Sequence, residues 1–182
     1  MIEDDDSAPP VSLAEAQAFV RVESGQEEAL LAGMVRSASG LCEAFIGQAI
    51  MARGFRQTLP LSGNWQRIGR TPVRSIDLVE AIAENGSATV LAASAYAVDI
   101  DASGDGWVRV ANAGSARRLR ISGQAGMATT GSDVPEALRH GILRLVGHLF
   151  ANRDGGGSSG PGTEPPAAVT ALWRPYRRMR LS

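Results

Sequence analysis

The sequence predicts an α+β fold: a mainly α-helical bundle core, a small antiparallel β region inserted into it, and a tethered C-terminal segment. Three observations predict it. Apolar residues recur at helical spacing through 25–46 and again through 134–152. Between them, over 52–126, apolar and polar residues alternate in short runs broken by turn residues. A glycine- and proline-rich stretch, 154–166, then separates the last helix from a short apolar, aromatic and basic end, 167–182.

Residues 1–10, MIEDDDSAPP, read as a flexible, solvated acidic tail. Ser12-Leu13-Ala14-Glu15 is a capping box, in which the serine hydroxyl and the glutamate carboxylate each take one orphan N–H of a helix start; it opens a helix over 12–22. Ser24-Gly25-Gln26-Glu27 repeats the pattern and opens a second helix over 25–46. Leu30, Met34, Ala38, Leu41 and Phe45 form its stripe, and Leu31, Val35 and Cys42 widen it, as in a helix buried from two sides. Gly47 is a natural C-terminal stop.

In the β region the runs fall at Gly54–Leu61, Arg67–Gly69, Ile76–Ile82, Ala88–Ala92, Tyr96–Ile100, Trp107–Val110 and Arg117–Ser122, and Asn85-Gly86 is a hairpin-turn signal. The helix over 134–152 organises the rest. Leu138, Ile142, Leu145 and Leu149 line one face, Asp133 is placed to cap it, Pro135 and Glu136 suit its first turn, and Asn152 ends it. Gly141 and Gly147 lie inside, where glycine costs about 1 kcal/mol relative to alanine, so close approach of another backbone is the expected compensation. In the end segment Val169, Leu172, Trp173 and Tyr176 recur at helical spacing among Arg174, Arg177, Arg178 and Arg180. Pro175 ends or kinks any helix there. Such a segment either reaches a partner or folds back to cap its own core.

Composition narrows function. The 182 residues suit one domain with tails, and 44% hydrophobic content argues against global disorder. The sequence holds no run of eighteen apolar residues, and its start lacks the basic and apolar regions of a signal peptide. One cysteine, Cys42, fits a reducing compartment. A net charge of −1 gives no global electrostatic case for nucleic acid. All the basic side chains are arginine, and Arg117, Arg118 and Arg120 share one predicted strand. A nucleic-acid-binding regulator using these clusters is therefore the alternative reading.

No catalytic, cofactor or metal site is expected. Asp99-x-Asp101-x-Ser103-Gly104-Asp105 imitates the start of a calcium loop, but Val110 stands where the bidentate glutamate belongs, so the aspartates read as a turn. His140 and His148, with Arg144 between them, share one helix flank and lie too far apart to complete a tetrahedral site. Cys42 reads as core. No nucleophile elbow, zinc-helix or phosphate-loop pattern occurs, and an enzyme would need a site dispersed through the sequence.

Taken in order, several stretches resemble the head–tail connector (adaptor) family of long-tailed bacteriophages and gene transfer agents. Val11-Ser12-Leu13-Ala14-Glu15-Ala16 and Glu27-Glu28-Ala29-Leu30-Leu31 resemble its two N-terminal helices. Arg70-Thr71-Pro72-Val73-Arg74-Ser75-Ile76 and Tyr96-Ala97-Val98-Asp99 resemble two of its strands. Val134-Pro135-Glu136-Ala137-Leu138-Arg139, with Asn152-Arg153, resembles its main helix. Leu172-Trp173-Arg174-Pro175-Tyr176-Arg177 resembles its terminal motif. The resemblance implies a non-enzymatic structural protein of a virion or virion-like particle, made in the bacterial cytoplasm and sitting in the neck at the portal vertex. It implies an adaptor core over 11–153 that forms a ring, commonly a dodecamer, with DNA passing through the lumen without sequence readout. The implied partners are other copies of itself, the portal protein and the next neck protein, with no membrane. The residues expected to meet the portal are Val169, Leu172, Trp173, Arg174, Tyr176, Arg177, Arg178 and Arg180. The glycine-rich stretch 155–162 is a departure from the family pattern.

Overall fold

In the computed structural model the chain is described at residues 2–4, 7–23, 25, 27–111, 114, 116–153 and 165–178. The linker expected at 154–166 lies outside these residues except for Pro165 and Pro166, and so does the end of the chain from Met179, Arg180 included. The chain divides into two compact units, one of Met1–Ser7 with Ala52–Met127, the other of Ala8–Met51 with Ala128–Ser182.

The first unit is built of strands. They are β1 (Ile2–Asp4), β2 (Arg53–Pro60), β3 (Gln66–Arg67), β4 (Val73–Ile82), β5 (Ala88–Val90), β6 (Tyr96–Ile100), β7 (Gly106–Val110) and β8 (Arg118–Ala125). A five-stranded sheet runs β1-β2-β8-β4-β5 and a three-stranded sheet β3-β7-β6, every pair antiparallel. The last strand, β8, sits at the centre of the larger sheet. Its inward residues Leu119, Ile121 and Ala125 share one core with Phe55, Val73 and Val79 and with Val108 and Val110 of the smaller sheet. The Asn85-Gly86 signal forms the β4–β5 turn: Gly86 takes a φ of 84°, and the Asn85 side chain accepts from the Ser87 N–H at 3.0 Å.

The mainly helical bundle core expected from the sequence is not what the chain forms. Among the described residues the strands make two antiparallel sheets with their own hydrophobic core, so the fold is a sheet-rich α+β. The reason is physical. β1, β3 and β5 are only two or three residues long and β4 is interrupted by register shifts at Val73/Ser75 and Ile76/Leu78, so the alternation that is clear in β7 and β8 is not continuous through the region. The core emerges only when β8 is set between β2 and β4, a pairing across the whole unit.

The acidic opening stretch supplies edge strand β1, whose Asp4 carboxylate meets both Arg53 and Arg70. Composition alone reads such a stretch as solvated. Two arginines, from β2 and from the segment before β4, give its charge a place.

The second unit holds α1 (Leu13–Val20), α2 (Glu28–Ile46), α3 (Glu136–Ala151) and α4 (Ala167–Trp173), with 3-10 turns at Gly131–Asp133 and Arg174–Tyr176. The Ser12/Glu15 capping box is formed in both directions. The second box does not cap α2: Glu27 is its N-cap in a left-handed conformation with no side-chain cap, and Ser24 and Gln26 lie outside the described residues. The buried row of α2 is Leu31, Val35, Ala38, Cys42 and Ile46, while Leu30 is 42% exposed, so the residues read as widening the stripe are its centre. By length and composition α2 could cross a membrane; within this unit its apolar face is covered by α1, α3 and α4. Asp133 turns back to accept from Thr130, and Pro135 takes the N-cap position of α3. Leu138, Ile142, Leu145 and Val146 form the buried face of α3, with Leu149 half-buried.

Candidate functional site

The C-terminal segment is the best-defined candidate. Pro166 starts α4 and the helix ends at Trp173, where Pro175 cannot supply the N–H that a continuing helix needs; the chain tightens into the Arg174–Tyr176 turn. Val169 and Trp173 point inward and are 2% and 0% exposed. The Trp173 indole lies against α3 at Gly141. A methyl group there would come within 2.1 Å of Nε1 and 2.8 Å of Cδ1. Gly141 therefore makes the seat, and what approaches it is a side chain, not the backbone the sequence suggested. Nε1 donates to the Leu138 carbonyl at 3.4 Å, and the ring tilts at 54° against Phe45 of α2.

The turn is held from the same side. Gln48 donates to the Tyr176 carbonyl at 2.7 Å, and the Arg178 N–H donates to the Ile46 carbonyl at 2.9 Å, satisfying a C-terminal carbonyl of α2. The Arg177 guanidinium lies 5.5 Å from the Phe45 ring centroid. What remains outward is Arg174, Pro175 and Arg177, exposed, with Leu172, Tyr176 and Arg178 half-buried. Among the described residues neither Arg174 nor Arg177 meets a carboxylate. The seven described residues expected at a partner thus divide into an inward pair and an outward set, with Arg180 outside the described residues. Phe45 lies on the apolar stripe of the second helix and Gly141 stands out as a glycine inside a helix, but nothing in the sequence pairs either with Trp173, and Gln48 carries no signal.

The other candidates are spent on structure. Asp101 accepts from the Ser103 and Asp105 N–H groups at 2.8 and 3.0 Å and from Trp107 Nε1 at 3.2 Å, and Asp105 pairs with Arg67. These carboxylates staple a turn, as the spacing suggested, and the described residues contain no cluster of metal-ligating side chains. The Phe19 ring meets His140 edge-on with centroids 6.4 Å apart, and Asn152 lies beside His148 Nδ1 at 3.3 Å. Cys42 is fully buried, and that burial raises its thiol pKa well above the ordinary value. On β8, Arg120 faces Glu80 at 3.6 Å, and just before the strand Arg117 meets Glu84 at 2.7 Å, so neighbouring carboxylates offset charge that nucleic acid would need. A groove of about 380 Å³ runs beside α3, lined by Phe19, Val20, Arg144, Gly147 and Phe150.

No protein-family model matches the chain, and no curated protein matches it. Solved structures do. A chain in the neck of an empty GTA particle, computed with C6 symmetry, superposes with a TM-score of 0.78 at 22% identity, covering 100% of this chain and 97% of that one. A chain in the virion of a native gene transfer agent (GTA) particle gives 0.73, and one in the neck of a native GTA particle, computed with C12 symmetry, gives 0.71, at the same identity and coverage. The fold over the full chain is that of these proteins, in agreement with the resemblance to the head–tail connector family.

Proposed function

We propose that the chain is a structural protein of the neck of a gene transfer agent or tailed-phage particle. In this reading it is an adaptor that forms a ring below the portal, joins the capsid to the tail and lets DNA pass. The observation that carries the reading is the end-to-end fold match to chains of GTA necks, which leaves almost no part of either chain unaccounted for. Rotational symmetry in those particles supports self-association into a ring, for which dodecamer is the copy number we propose. A cyclic ring requires two different, complementary faces on each subunit. The core over 11–153 would supply the ring body and the segment over 167–182 the contact with the portal, with the next neck protein on the tail side.

The outward set Leu172, Arg174, Tyr176, Arg177 and Arg178 supports that last assignment, because aromatic and arginine side chains dominate interface energetics. The chain acts without catalysis, cofactor or metal in this account. The test is to mix the purified chain with portal rings from the same source and image the product. A second ring stacked coaxially on the portal is the expected result. A chain that leaves the portal bare at micromolar concentration overturns the adaptor role.

A further inference from the structure

We infer that Trp173 is a positioning residue, not a partner contact: its seat on Gly141 holds the Arg174–Arg177 turn in one geometry, and Arg174 and Arg177 then read a carboxylate-rich protein surface. The inference rests on the adaptor reading for the partner's identity and goes beyond it in dividing the segment by role. Four observations carry it. Trp173 is fully buried, so it offers no area to a partner while the seat is occupied. The seat is specific, because Gly141 alone leaves room for the five-membered ring of the indole. The turn that follows is clamped at two backbone positions, by Gln48 on the Tyr176 carbonyl and by the Ile46 carbonyl on the Arg178 N–H. Finally, Arg174 and Arg177 are exposed on that clamped turn, Arg177 beside the Phe45 ring, and neither meets a carboxylate among the described residues; Leu172 and Tyr176 beside them are half-exposed.

A rigid turn with two guanidiniums a helical step apart suits bidentate pairing with carboxylates, and pre-ordering lowers the entropy cost of forming those pairs. The apolar and aromatic neighbours favour a protein over DNA: phosphate tracking needs many cations along a groove, and this turn offers few.

The experiment measures binding of the full chain to portal rings by biolayer interferometry. The variants are R174E/R177E, W173F, W173A and the triple variant W173A/R174E/R177E. R174E/R177E lies on the surface and should keep the fold, as circular dichroism would verify, while losing at least about tenfold in affinity. W173F, which fills the seat without the five-membered ring, should bind within about threefold of wild type. W173A should lose affinity, and the charge reversals should then cost little more, because the arginines are no longer held in register. Equal cost of R174E/R177E in the wild-type and W173A backgrounds would overturn the positioning role. Wild-type affinity of R174E/R177E would overturn the recognition surface while leaving the adaptor reading intact. No binding by the wild-type chain would remove both. Binding of R174E/R177E to double-stranded DNA is measured in parallel; a loss confined to DNA would assign the arginines to the lumen and overturn the protein-surface inference.

Discussion

Gly123 and Gly40 show how one residue type carries opposite meanings. On β8, a methyl group at Gly123 would lie 2.2 Å from the Ser75 carbonyl oxygen, a backbone atom held in the sheet. On α2, a methyl at Gly40 meets nothing within 4 Å. Gly123→Ala should therefore destabilise the chain by at least about 1–3 kcal/mol, whereas Gly40→Ala should stabilise it by about 1 kcal/mol. Thermal unfolding followed by circular dichroism checks both, and a fall in Tm for Gly40→Ala would contradict the second. Neither position is distinguishable in the sequence, because the atom that decides each case comes from another element or is missing altogether.

Glu15 was legible, since both halves of its capping box lie within four consecutive residues. The Ser12 backbone N–H, its hydroxyl and the Arg139 guanidinium hold the Glu15 carboxyl below its ordinary 4.5 against the opposing effect of burial. A lowered folded-state pKa means that the stabilisation is complete above the unfolded value and is lost as pH falls through the folded one. Glu15→Gln should accordingly flatten the loss of stability below about pH 4.5, with little pH dependence added above it. An acid limb identical to wild type would show that this carboxylate contributes nothing there.

At the scale of elements, helices were easier to read than sheets. The α3 face Leu138, Ile142, Leu145 is visible in one local window because its period is set by the helix itself. The sheets depend on partners far apart in sequence: β1 needs β2 some fifty residues on, and β8 pairs with both β2 and β4. The sequence leaves the segment of α4 open between seeking a partner and capping its own core, and only the complement of Trp173 with Gly141 decides its resting place. Gly141→Ala should displace the indole and destabilise the helical unit, and Trp173→Leu added to it should recover much of the loss by vacating the five-membered ring's space. Additive losses in that double variant, measured by urea unfolding, would contradict the seat. Cys42, buried in the same unit with its thiol pKa raised, should resist thiol reagents at pH 8 until the chain unfolds. Prompt labelling of the native chain would show that α2 opens readily.

At the scale of the molecule, overall charge and ion pairing separate the adaptor from a nucleic-acid regulator. A net charge of −1, with Arg120 facing Glu80 and Arg117 facing Glu84, predicts weak DNA binding with a shallow dependence on salt. A steep slope would favour the regulator. The proposed adaptor role makes the stronger demand that the protein be part of a particle. Purified particles from the source organism, quantified by mass spectrometry against the portal subunit, test that demand most directly. The account predicts that this chain is present at close to one copy per portal subunit. Its absence from particles that carry the portal would contradict it.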